Sequence, residues 1–235
     1  MIEILKSIEI DPFLISFKLA SLTTLILFFV CLPLAWYLSQ TKSKMKPILE
    51  SITALPLVVP PTVLGFYLLW SLSYNSPIGQ FFQEYFGIKL VFNFYGLVIA
   101  SCFYSLPFMV QPMQSGLESL NKNMLEASYI SGKGKIETLF RIALPNIKPS
   151  LMTAIIITFA HTVGEFGVVL MIGGSIPGET RVASIAIYEF VEIIDYKNAH
   201  IYSVIMIIMS FLTLLGVYIF NNKQKQSQVN LNDRD

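Results

Sequence analysis

Residues 19–41, 51–83, 91–117 and 201–222 contain no charged side chain, and residues 149–174 hold only His161 and Glu165 as ionisable groups. A helix needs about 20 mostly apolar residues to cross ~30 Å of hydrocarbon, and each of these runs is long enough. Only 13% of the 235 residues are charged, against about 25% in an ordinary soluble domain. The predicted fold class is therefore an all-α membrane protein with about five transmembrane helices. They are placed near 13–38, 50–73, 92–112, 149–173 and 200–220.

Lysine and arginine are distributed unevenly between the connections, and that sets the orientation. Lys42, Lys44, Lys46, Lys122, Lys133, Lys135, Arg141, Lys148, Lys223, Lys225 and Arg234 fall on one side, Lys6, Lys18, Lys89, Arg181 and Lys197 on the other. Eleven against five puts the N-terminal segment 1–12 outside. The 118–148 loop and the 221–235 tail are then cytoplasmic. The mixed charges of "MIEILKSIEIDP" do not make a cleavable signal, so the first span is expected to stay in the membrane. Cys31 and Cys102 both lie within spans and have no paired spacing. They read as small hydrophobes, and no metal site is expected.

Pro56, Pro60 and Pro61 lack backbone donors, so the second span must bend or break. Freed backbone groups at membrane depth are tolerated only inside protein or against a watery cavity. This span is either a pathway wall or an ordinary packed kink. On the outer side, residues 174–198 open with Pro177-Gly178. They continue with Val182, Ile185, Ala186, Phe190, Val191 and Ile194 at helical spacing, which predicts a short amphipathic helix against the span ends. No internal repeat relates the two halves, which argues against a secondary transporter.

The central loop contains "EASYISGKGKIETLFRIALP", residues 126–145, a polar insert in an apolar chain. Asn123 and Glu126 have the spacing of a capping box, predicting a helix from Met124. Gly132 and Gly134 should end it after about two turns. Ile136, Leu139, Phe140, Ala143 and Leu144 then outline a second helix, with Pro145 as its stop. A two-turn helix cannot persist alone. Either a soluble partner accepts it as a plug, with Ala127, Ser128 and Gly132 permitting close approach, or it rests on lipid headgroups.

Glu126-Ala127-Ser128, then Gly132 after three residues, then Ile142, Leu144 and Pro145, resembles the "EAA" motif of ABC importer permeases, with Ser128 in place of the last alanine. "LPLVVPPTVLGFYLL" from Leu55, "GEFGVVLMIGGSIPGET" from Gly164 and the following "VASIAIYEF" are similar to segments of molybdate permeases. Sulfate permeases are similar too, but tend to carry tyrosine where Phe166 stands. His161 occupies a position where arginine is frequent. The likeness spans most of residues 50–195 and implies the type I importer fold. It implies that Glu126, Ala127, Ser128 and Gly132 form a coupling helix seated in an ATPase subunit. Ile142, Leu144 and Pro145 would shape the loop behind it.

The resemblance further implies a homodimer of this chain, two ABC ATPase subunits that carry ATP and Mg, and an extracytoplasmic molybdate-binding protein. The setting would be a bacterial or archaeal cell membrane, with lipid around the spans and no nucleic acid. This chain would hold no cofactor and no catalytic residue. A sulfate, thiosulfate or tungstate permease is the nearest alternative, and a self-contained channel or intramembrane enzyme a more distant one.

Intramembrane ionisable groups are costly and point to function. His161 and Glu165, four residues apart, are expected on one helix face, either as a structural pair or with His161 donating to a passing oxyanion. Thr62, Ser101, Ser105, Thr158 and Thr162 are further pathway candidates, and Glu165 is a candidate gate. No third ligand completes a zinc hydrolase site. "GKGKIET" departs from the phosphate-loop pattern because Ile136 follows Lys135.

Overall fold

The computed structural model describes residues 9–232. Lys6, with most of the expected outer N-terminal segment, and Arg234, at the end of the expected tail, lie outside the described residues. Every regular element among those described is helical.

Three helices are long and apolar enough to cross a membrane, and the number reaches five when each of two bent pairs is one crossing. Helix α1 (Asp11–Gln40) is followed by α2 (Lys46–Ala54), a 3-10 turn (Leu55–Leu57) and α3 (Pro61–Leu72). The interruption expected from the prolines is a bend of 105° between the Lys46–Leu57 and Pro61–Leu72 pieces. With 12 residues, α3 extends only ~18 Å at 1.5 Å per residue. The second apolar run, placed near 50–73, is thus an elbow, as its prolines require.

On the outer side α4 (Pro77–Phe86) is capped by Ser76, whose Oγ accepts from the Gly79 amide at 2.9 Å. Helix α5 (Phe94–Glu118) starts at Asn93, whose Oδ1 accepts from the amides of Tyr95 and Gly96 at 2.7 and 3.1 Å. The central loop forms α6 (Lys122–Ile130) and α7, which begins at Lys135 and continues to Asn146 through a π turn at Leu139–Ala143. Helix α8 (Lys148–Val163) turns away from α7 by 81°. The short α9 (Gly167–Gly173), outer α10 (Ala183–Glu192) and α11 (Tyr196–Asn232) complete the chain.

The fourth apolar run, expected as one helix over 149–173, is broken at Gly164–Phe166, between α8 and α9. Pro145 does not stop its helix either, since α7 runs on to Asn146. A proline ring clashes with the carbonyl four residues back. The π turn just before it widens the coil, with the Leu144 amide bonding to the Leu139 carbonyl instead.

Among the described residues, three apolar clusters hold the helices together, the smallest packing Phe13 of α1 and Ala183 and Ala186 of α10 against Tyr202 of α11. Toward the cytoplasm, Leu38 of α1 and Met113 and Leu117 of α5 pack with Leu139 and Ala143 of α7 and with Ile147. Toward the outside, Leu19, Leu97, Val168, Val169, Ile172 and Ile185 bind α1, α5, α9 and α10 together. Where α5 crosses α8, a Cβ on Gly116 would lie 2.5 Å from the Ser150 Cβ, so the backbones meet closely there. Helix α10 is the expected amphipathic outer helix. It buries Ala183, Ile185 and Ala186, while two residues assigned to the same face from spacing are exposed: Val191 in its last turn, and Ile194, which lies past the helix end at Glu192. Arg181 ties this region down, its guanidinium 2.7 Å from both Glu9 and Glu189 carboxylates.

Candidate functional site

Two features stand out, a cytoplasmic peg and an intramembrane cavity. The peg is α6 with the reversal into α7. Asn121, not Asn123, caps α6, its Oδ1 accepting from the Asn123 amide at 3.0 Å, so the helix begins two residues earlier than the Asn123–Glu126 spacing implies. It ends at Ile130, and two residues on Gly132 takes φ +81 with its amide bonded to the Tyr129 carbonyl. Left-handed backbone favours glycine, which is why the chain reverses there.

Glu126, Ala127 and Gly132 are exposed on the peg. Ser128 is not. It is buried, with its Oγ 2.8 Å from Thr138 Oγ1. Its place is the joint between α6 and α7, not the side left open for another surface. Ile142 and Leu144 are half-buried and Pro145 is exposed. The apolar face expected along α7 also divides in two. Leu139 and Ala143 enter the membrane-domain core, whereas Ile136 and Phe140, one turn apart, point outward at 75% and 57% exposure. Ile130, the last residue of α6, is 87% exposed. Large apolar side chains exposed on a polar loop point to a contact surface.

The cavity, about 610 Å³ and open, lies at the break between α8 and α9. Its lining includes Pro61 and Thr62 from the start of α3, Tyr104 from α5, and His161, Gly164, Glu165 and Phe166. Irregular backbone at membrane depth beside such a space is the arrangement that hydrocarbon permits. Close packing shapes it, since a Cβ on Gly167 would lie 2.8 Å from the Pro61 Cβ. Of the pathway candidates, Thr62, His161 and Glu165 line the cavity. Ser101, Ser105, Thr158 and Thr162 are buried behind it.

His161 and Glu165 do not pair, because α8 ends at Val163 and the helical spacing between them no longer applies. Instead each meets a serine of α5. The Ser101 hydroxyl donates to Glu165 Oε2 at 2.8 Å, and Ser105 Oγ lies 3.0 Å from His161 Nδ1. The His161 ring is stacked on Phe108 at 3.9 Å and tilted against Tyr104 at 4.9 Å. Ser184 at the start of α10 donates to the Glu165 carbonyl at 2.6 Å, tying the break to the outer helix. Glu165 Oε1 has no hydrogen-bond partner among the described residues, although the residue is only 4% exposed. Tyr104 and Phe108 were not singled out by sequence. They are ordinary apolar-run residues, and only the α5–α8 crossing brings them to His161.

Ser101→Ala leaves neither Glu165 oxygen bonded. An unsatisfied buried polar group costs about 1–3 kcal/mol, and a chain of this size loses about 2–4 °C of Tm per kcal/mol. Thermal unfolding of the detergent-solubilised protein is expected to shift down by several degrees. An unchanged midpoint would show that the Ser101–Glu165 bond carries no stability.

Broken and continuous apolar helices, a peg on the lysine-rich side and a polar cavity at the helix break define a membrane transport subunit. The chain belongs to the binding-protein-dependent transport system inner membrane component family, whose sequence pattern matches residues 20–226. It is 47% identical to the molybdenum transport system permease protein ModB of Azotobacter vinelandii, over 87% of this chain and 90% of that one. Identity is 33% to the protein of the same name in Escherichia coli (strain K12), covering 80% and 82%. With the sulfate transport system permease protein CysT of Salmonella typhimurium it is 30%, covering 78% and 66%.

Among solved structures, the fold is similar to a bacterial ABC transporter that imports the acidic polysaccharide alginate. The TM-score is 0.74 at 17% identity, covering 91% of this chain and 79% of that one. The MetNI methionine ABC transporter gives 0.68 at 16% identity, covering 89% and 92%. The chain is thus a multi-pass cell-membrane permease with the type I importer fold, and it is not itself an enzyme.

Proposed function

We propose that this chain is the membrane subunit of an ATP-driven molybdate importer. The observation that carries the substrate is the 47% identity, over 87% of the chain, to a molybdenum transport permease, against 30% over 78% to a sulfate permease. Two copies form the pathway, two ATPase subunits carrying ATP and Mg grip the α6 pegs, and an extracytoplasmic binding protein delivers the oxyanion. Glu126, Ala127 and Gly132, with exposed Ile130, Ile136 and Phe140, present the surface to the ATPase. Ser128 holds that surface rigid through Thr138.

Closure of the ATPase pair on ATP displaces both pegs. Leu139, Ala143 and Ile147 sit in one core with α1 and α5, so the displacement moves packed helices rather than a loose loop. The cavity at the α8–α9 break then opens to the outside, a two-state change that each ligand biases by binding one state better. Selectivity rests mainly with the delivery protein.

The test is uptake into proteoliposomes that contain this chain, its ATPase and the binding protein. Labelled molybdate should accumulate only with internal ATP and should resist competition by excess sulfate. Accumulation of labelled sulfate that excess molybdate does not compete, with no accumulation of labelled molybdate, would assign the chain to sulfate. Accumulation without the ATPase would overturn the importer reading.

A further inference from the structure

The hydrogen bonds behind His161 determine which of its nitrogens carries a proton. Thr162 Oγ1 donates to the Thr158 carbonyl at 2.9 Å, and Ser105 Oγ lies 2.9 Å from Thr162 Oγ1 and 3.0 Å from His161 Nδ1. Each hydroxyl has one proton to give. The Thr162 proton goes to the carbonyl and the Ser105 proton to Thr162, so the third bond must take its proton from His161 Nδ1. Running the chain in reverse, from Thr162 through Ser105 to the imidazole, would forfeit the bond to Thr158 within a buried network. Neutral His161 is therefore the Nδ1–H tautomer. Its Nε2 edge, not engaged by Ser105, has a lone pair in a residue that lines the cavity.

A lone pair repels an oxyanion. Protonation at Nε2 turns the same edge into a charged donor, and charge-assisted hydrogen bonds are short and strong. It also places a cation over the Phe108 ring, 3.9 Å away, where the ring quadrupole favours positive charge. Two other titratable groups line this space, Glu165 and Tyr104, while α3 contributes Pro61 and Thr62, which do not titrate. Glu165 Oε2 accepts from Ser101, while its Oε1 has no partner among the described residues; a proton carried there instead of on His161 would leave the pH profile of His161→Arg like that of wild type.

We propose that His161 is the anion-contacting residue of this cavity and takes up an oxyanion together with a proton, as an imidazolium donating from Nε2. The inference rests on the oxyanion-importer reading. Anion and proton then strengthen each other's binding by linkage.

The experiment measures initial molybdate uptake against pH, equal on both sides, in proteoliposomes of the complete transporter, alongside ATP hydrolysis by the same vesicles. Wild-type uptake should fall as pH rises, with a limiting slope of about tenfold per pH unit for one proton. His161→Arg, which stays charged, should remove the part of the slope that the other subunits do not cause. Ser105→Ala releases Nδ1 from its role as donor and admits the neutral Nε2–H tautomer, so its profile should be flatter than wild type. A profile shared by wild type and His161→Arg would overturn the proposal. If His161→Arg fails to assemble, an unaltered steep profile in Ser105→Ala overturns it equally. Uptake of no oxyanion at any pH by vesicles that still hydrolyse ATP would instead overturn the importer reading, and the proposal with it.

Discussion

Gly132→Val is expected to reduce uptake by more than about tenfold while leaving the membrane domain folded. Gly132 has φ +81, and a Cβ there would meet nothing within 4 Å. The damage is therefore not a clash inside this chain. Left-handed backbone costs an L-residue about 1–2 kcal/mol and is worst for a β-branched one. The α6–α7 reversal would relax, and the Ser128–Thr138 bond that depends on it would be lost. Since each 1.4 kcal/mol is about tenfold in affinity, the grip of the ATPase on the peg should weaken by that order. Gly134→Ala is the control. Its φ is −73 and its surroundings are open, so uptake and ATPase co-purification should both stay near wild type. Equal behaviour of the two variants would show that the reversal at Gly132 does not matter to coupling.

Gly96→Ala should fail earlier, at folding. A Cβ at Gly96 would fall 1.6 Å from the Leu90 carbonyl oxygen and 3.3 Å from Ile172. Backbone cannot yield as a flexible side chain can. The segment before α5 is also pinned, with the Phe92 amide bonded to the Ile172 carbonyl at 2.9 Å. Overpacking of this kind costs about 1–3 kcal/mol or more. The α5 N-terminus and α9 anchor the outer cluster, so the variant should show little monodisperse protein on size exclusion. A normal elution profile would mean the loop moves freely.

How much of this could be read from the chain depends on whether the cause is local. Charge-free runs and the placement of lysine and arginine reveal the crossings because hydrocarbon excludes charge everywhere along a span. The bend of the second run was legible in Pro56, Pro60 and Pro61, and the end of α6 in Gly132, since each residue restricts its own backbone. The cap was misplaced by two residues because Asn121 and Asn123 both suit the role, and the Glu126 spacing favoured the wrong one.

What depends on packing was hidden. The break at Gly164–Phe166 coincides with Gly164, Glu165 and Gly167, but a charge-free run on both sides of them reads as one continuous span. Ser128 suggested room for a partner by its size, but its hydroxyl meets Thr138, ten residues on, through a reversal that spacing alone does not draw. The pairing of Ser101 with Glu165 and Ser105 with His161 exists only because α5 crosses α8. For the same reason the pathway candidates, chosen as polar residues in apolar runs, divide into cavity-lining and buried sets that sequence cannot separate.

The coupling surface is most directly tested by a photoreactive phenylalanine analogue at Ala127, in membranes that hold the complete transporter. Ala127 is exposed on the peg, whereas Ser128 beside it is buried against Thr138. Irradiation should yield an adduct between this chain and the ATPase from position 127 and far less from position 128. No ATPase adduct from position 127, in membranes where ATP-driven uptake persists, would contradict the assignment of α6 as the joint between motor and pathway.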